Sequence, residues 1–182
     1  MSDIGRHDLA RHYESKAIVR AAIGEVFAHV DDHTQFSSHM NQSSWLMGGS
    51  RMEIHLDDGR GQKPGSRIRL TGTVFGCRLS VEEVVTERVV RYKKTWETIG
   101  HPRLLIIGHY RMGFELSPDN ERAMLRVFID YALPEQGVGR WFGFLFANFY
   151  ARWCTQRMLN DTVRHFATRS QADRQTIGFS GS

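Results

Sequence analysis

The chain has two cysteines in 182 residues. Neither Cys77 nor Cys154 belongs to a CxxC or metal-type spacing, so no disulfide frame or thiolate cluster is indicated, and reduced, buried thiols are expected. No apolar run reaches the length of a membrane span, and the N-terminal MSDIGRHDLARHYESK lacks the apolar stretch of a secretory signal, so a cytoplasmic location is expected. GxSxG, P-loop, GxGxxG and HExxH patterns are missing, and Ser, His and Asp do not fall in a plausible catalytic order. Hydrolase, nucleotide and dinucleotide readings are therefore without support, and no cofactor is expected. The net charge is +4, with arginines scattered among acidic residues on alternating strand positions rather than gathered in a stripe. No nucleic-acid partner is expected, while weak attraction to anionic lipid stays open.

What the chain does contain is alternation followed by one long periodic stretch. Its 41% hydrophobic and 24% charged residues suit one folded domain with one core. Residues 1–12 read as a flexible leader, 13–169 as the domain and 170–182 as a disordered tail. Tyr13 to Arg20 alternates as a strand. Glu25 to Val30 fits a short helix with Val26, Phe27 and Val30 on one face, and a second helical turn from His33 to Met40 can be capped by Asp32. Strands follow at Arg51–Leu56, then a hairpin from Arg67–Val74 and Leu79–Thr86 turning at Phe75-Gly76. Val90–Glu97 is a further strand, broken by Gly100-His101-Pro102; Leu104–Leu116 is a long one, and Met124–Tyr131 the last. In the closing segment, Arg140–Arg169, the residues Phe142, Leu145, Phe146, Phe149 and Trp153 recur at three- and four-residue steps on one helical face, with Val163 and Phe166 roughly on the same side. Arginines 152, 157, 164 and 169 complement the dipole of its C-terminal half. The order is strand, two short helices, about six strands, long helix: an α+β chain whose curved antiparallel sheet is closed by the last helix.

This order, together with FAHVDDHTQFSSHM (Phe27–Met40), SSWLMGGSRM (Ser43–Met52), KTWETIGHPRLLIIGHYRMGFEL (Lys94–Leu116) and FIDYALP (Phe128–Pro134), resembles the SRPBCC superfamily, in particular a bacterial-type subgroup. The superfamily includes START lipid-transfer domains, Bet v 1-like proteins and polyketide cyclase/dehydrases. The resemblance covers roughly Tyr13 to Phe166. It implies a helix-grip fold, a bent antiparallel sheet of about seven strands around the C-terminal helix with an apolar cavity between them. Members bind sterols, phospholipids, polyketides or plant hormones, and some catalyse ring closure or dehydration. No single catalytic signature carries over.

Strand alternation nominates the cavity lining: Met52, Ile54, Leu70, Leu79, Val81, Tyr92, Trp96, Tyr110, Met112, Phe114, Val127, Ile129 and Tyr131. Phe146, Phe149, Tyr150 and Trp153 of the helix face them, with Trp45 at the mouth. The alternative is a solid core. Among candidate acid–base groups, His55 and His109 fall on the outward phase and His101 at a break, while His39, just before Trp45, suits a cavity mouth. Glu83 shares the phase of Leu79 and Val81 and points inward if the strand is regular, where Lys94 or a Tyr could pair with it. A bulge at Glu82-Glu83 would put both carboxylates in water. His29, Asp31, Asp32, His33 and His39 invite a metal reading but lack a matched distant ligand, and no metal is expected. Trp141 and Phe144 lie off the main apolar face, which makes the helix start apolar nearly all round and suggests a homodimer contact or transient membrane-surface contact there. Three functions follow. A hydrophobic or amphipathic small-molecule ligand is held without turnover by a carrier or sensor. A cyclase/dehydrase-type enzyme uses His39 or Glu83 as base with Tyr110 or Tyr131 orienting a carbonyl. An interaction module uses the aromatic helix start.

Overall fold

The computed structural model describes residues 8–36, 52–74, 77–134 and 138–179. Among these residues, alternating sequences form seven strands: β1 (Arg11–Val19), β2 (Met52–Leu56), β3 (Arg67–Val74), β4 (Cys77–Val89), β5 (Lys93–Arg103), β6 (Tyr110–Asp119) and β7 (Arg122–Tyr131). Two short helices, α1 (Ile23–Asp31) and α2 (His33–Phe36), follow β1, and α3 (Val138–Phe179) ends the described chain. The strands make one antiparallel sheet in the order β1-β7-β6-β5-β4-β3-β2, so β1 and β2 occupy opposite edges although they are consecutive.

One face of this sheet carries the core. Register places Trp96 beside Met112, Phe114 beside Val127 and Leu70 beside Val81, all buried. Helix α1 covers this face with Val26, Phe27 and Val30, and Phe27 meets Phe114 edge-on at 5.9 Å. The opposite face is polar: Glu14, Arg126 and Glu115 form a cross-strand row in which Arg126 Nε donates to Glu14 and Nη1 to Glu115, each at 2.7 Å. The bond from Arg126 first, and then the Lys16 ammonium 3.0 Å away, hold the Glu14 carboxyl down to about 2.

Three boundaries differ from the sequence expectation. Strand β5 runs through Gly100-His101-Pro102 to Arg103, and the residues between it and β6 are not strand. Beyond Glu97, β5 has no register partner on β6 and pairs with β4 alone, so a proline without an N–H fits on its free side. Strand β1 starts at Arg11, inside the expected leader, and α3 continues to Phe179 through the expected tail. Between Arg169 and Gly178 that tail has neither Gly nor Pro to stop a helix.

The inward face of α3 also differs. It is built from Ala147, Ala151, Cys154, Met158, Leu159 and Phe166, while Phe146 and Phe149 are 45% and 55% exposed. Fully buried alanines let the helix backbone sit close against β1 and β7, the strands it packs on, and this rotates the two phenylalanines away. The buried hydroxyls of Thr155 and Thr162 are satisfied within the helix, donating to Ala151 O and Met158 O at 2.9 Å each.

Helices α1 and α3 meet along a seam of two rungs. Glu25 faces Arg169 at 3.9 Å, and His29 stacks on His165 with ring centroids 4.2 Å apart, while Phe166 meets His29 edge-on. Burial first, and then the His165 charge, lower the pKa of His29; Gln35 and Asp32 oppose this more weakly. An unfolded histidine takes its proton near 6.5, whereas folded His29 stays neutral to lower pH. The unfolded chain therefore binds more protons as pH falls through that range, and the stability this group contributes is present above pH ~6.5 and lost below it. The expected outcome is a lower denaturation midpoint at pH 5 than at pH 7, with a flatter slope in His29→Phe; an unchanged slope would remove the seam from the account.

Candidate functional site

Register alone assembles the polar group of the inner face. On β4, Glu83 pairs with Ile68 of β3 and Thr98 of β5, and on β6, Tyr110 pairs with Tyr131 of β7. Thr98 Oγ1 accepts from Tyr110 N at 3.1 Å, so Ile68, Glu83, Thr98, Tyr110 and Tyr131 form one row across five strands. The register shifts of β4 fall between Ser80 and Glu82 and between Val85 and Glu87, leaving Glu82 to Val85 regular. Glu82 therefore faces outward to Arg67, 3.1 Å away, and Glu83 faces inward, 3% exposed. Thr98 is short, and the Tyr110 ring reaches past it to donate its hydroxyl to Glu83 Oε1.

The other oxygen, Glu83 Oε2, is buried without a hydrogen-bond partner. His33 Nε2 stands 3.4 Å from it, and the His33 ring lies edge-on to Trp96 at 5.1 Å. A local capping motif puts His33 there. Asp32 Oδ1 accepts from Thr34 N at 3.0 Å and from Thr34 Oγ1 at 2.6 Å, turning the chain between α1 and α2. The residues on either side of the cap, Asp31 and His33, then both point inward and are both buried. Asp31 receives Arg88 through both carboxylate oxygens, and Lys94 Nζ donates to Asp31 O at 2.7 Å while lying 3.4 Å from Oδ1.

Helix α3 brings Tyr150 and Cys154 to the same region. Burial raises the pKa of the Tyr110 hydroxyl well above its ordinary value, with the Glu83 charge second. Burial, then Cys154 and Glu83, raise that of Tyr150; burial, then Glu83, push the Cys154 thiol up to about 12. Both tyrosines are therefore neutral hydrogen-bonding groups and Cys154 is a thiol, not a thiolate.

Of the residues nominated from alternation, Leu70, Val81, Trp96, Tyr110, Met112, Phe114, Val127, Ile129 and Tyr131 are buried, and Ile54, Leu79, Tyr150 and Trp153 are half-buried. Tyr92 is misplaced along with Phe146 and Phe149. It closes the β4–β5 turn, where Arg91 has φ +73°, and this reversal breaks the alternation and throws Tyr92 to the outer face, 50% exposed. There it lines an open groove of about 500 Å³ with Lys16, Lys93, Glu115, Met124 and Arg126. His39 and Trp45, and the side chains of Met52, Trp141 and Phe144, lie outside the described residues. His29 and His33 part company, one to the seam and one to the interior, and no three metal-ligating side chains gather among the described residues. His33 as a neighbour of Glu83 was not anticipated; the Asp32 cap was its one signal.

No family model matches the sequence, and no curated protein is detectably similar to it. Solved structures are similar in shape. The Zhui aromatase/cyclase from Streptomyces sp. R1128 superposes with a TM-score of 0.66 at 16% identity over 88% of this chain and 95% of that one. A point mutant of norcoclaurine synthase from Thalictrum, in complex with a transition-state analogue, gives 0.62 at 10% identity over 88% and 96%. Ara h 8.0201 gives 0.61 at 10% identity over 87% and 98%. No helix among the described residues is long and apolar enough to cross a membrane.

Proposed function

This chain has the helix-grip fold of the SRPBCC and Bet v 1-like proteins, and on that premise we propose that it holds a hydrophobic or amphipathic small molecule between the inner face of the sheet and α3, as a carrier or sensor. One observation supports this above others: the apolar inner face carries a polar pole, Glu83 with Tyr110, that leaves one carboxylate oxygen without a hydrogen bond, whereas the buried Asp31 carboxylate is met by Arg88 and Lys94. A buried acceptor without a donor costs about 1–3 kcal/mol, and a ligand's polar end would recover that. Native mass spectrometry of the purified protein, followed by denaturing extraction, tests the reading. A stoichiometric lipid, polyketide or isoprenoid is expected; an empty protein that also fails to bind an apolar fluorescent dye would favour a filled core.

A second reading, catalysis of the polyketide cyclase/dehydrase kind, is favoured by the Glu83–Tyr110 bond itself. Glu83 Oε2 can accept a proton from a bound substrate, and the neutral Tyr150 hydroxyl, brought to the same region by α3, can donate to a carbonyl oxygen. Glu83→Gln separates the readings: a catalyst loses about 10²–10⁴-fold in turnover, far more than its binding weakens, whereas a carrier shows only the change in binding.

A further inference from the structure

We infer that the polar end of the bound molecule is a neutral hydroxyl, alcohol or phenol, that bridges Glu83 and His33. The inference rests on the container reading and concerns what its pole selects. Tyr110 uses Glu83 Oε1, which leaves Oε2 as an acceptor without a hydrogen bond. Beside it, His33 Nε2 stands 3.4 Å away. The pair makes no aligned hydrogen bond at that distance, so with the proton on Nε2, where a lone pair would be repelled by the carboxylate, the N–H is turned toward a third atom. The pole therefore presents an acceptor and a donor side by side, both on buried residues.

Ligand chemistry follows from that pairing. A hydroxyl oxygen donates one hydrogen bond and accepts others, so a single atom answers both groups. An ammonium group can donate to Glu83 but cannot accept from His33, and a ketone can accept but not donate; each leaves one buried group unmatched. A carboxylate ligand would bring a second negative charge against Glu83 in a site with little water to screen it. Trp96 lies edge-on to His33, and Phe36 packs on Trp96 in turn, which suits a ring or chain behind the hydroxyl.

The test uses naphthalenes substituted at the same carbon with hydroxyl, methyl, acetyl or carboxylate, titrated calorimetrically into the full chain. Naphthol is expected to bind about tenfold or more tightly than the methyl and acetyl compounds, with naphthoate weakest. Glu83→Gln, which keeps the shape of the site, and His33→Phe should each bring the ratio of naphthol to methylnaphthalene affinity close to one. Equal binding of the three neutral compounds to the unmodified chain would overturn the hydroxyl pole and leave the container standing. Binding by none of the four, in a protein that also excludes an apolar dye, would remove both.

Discussion

Lys94→Met is expected to lower stability by about 3 kcal/mol, read as a shift in urea midpoint with unchanged slope. The Lys94 side chain is fully buried, and burial lowers its pKa against the pull of Asp31. It persists there because Asp31 supplies two oxygens: the backbone carbonyl at the end of α1, 2.7 Å from Nζ, and the carboxylate. Methionine fills much of the same volume, so the cavity cost is small. What is lost is the donor to a helix-terminal carbonyl and one of two cations around a buried carboxylate. Arg88 remains and limits the damage, and its own pKa is raised by the same Asp31 bonds. Changing Asp31→Asn in the Lys94→Met background should cost less than the sum of the two single changes, because each partner is harmful chiefly when left alone. Additive losses, or a stabilised single variant, would mean the pair is tolerated rather than needed.

Gly113→Ala should cost about 2–4 kcal/mol, although the position lies mid-strand where alanine is normally acceptable. A Cβ there would stand 2.6 Å from Lys94 O, 2.8 Å from Thr95 Cγ2 and 2.9 Å from Phe128 Cζ. Gly113 pairs with both Thr95 and Phe128, and the Phe128 ring fills the space above it, with the Arg126 guanidinium 4.9 Å over that ring. Aromatic cover of a strand glycine restores the packing that glycine forgoes. Phe128→Leu in the Gly113→Ala background would relieve the ring contact but not the carbonyl contact, so only partial recovery of the thermal midpoint is expected. Full recovery would place the whole clash in the ring.

Much of this architecture could be read from alternation, and the failures share a cause. Inward phase identified Trp96, Tyr110 and Phe114 correctly because a period of two is unambiguous wherever pairing is regular. Tyr92 failed because one residue of positive φ, Arg91, resets that phase, and no local pattern announces it. On α3 the large aromatics drew the inward stripe toward Phe146 and Phe149. Close approach to a sheet instead favours small residues, and Ala147 and Ala151 carry little weight in a hydrophobic pattern. Glu83 could be narrowed to two orientations, and the register of β4 decided between them. Its meeting with His33 depends on a cap at Asp32 and on a contact between chain segments far apart, which periodicity does not encode.

The placement of β1 and β2 at opposite edges of the sheet has a consequence for how the chain is made. Among the described strands β1 bonds to β7 alone, and its Glu14 reaches Arg126, 112 residues later. A chain leaving the ribosome therefore carries β1 unpaired until β7 has emerged, whereas β2 through β6 can each zip onto a neighbour soon after it appears. Closure of such a long loop is slow compared with hairpin formation. The last step of folding is then the arrival of β7 and α3, which pairs the first strand and covers the core face in one event. An N-terminal strand exposed for that interval is the part of this protein most open to capture by a chaperone or by another chain.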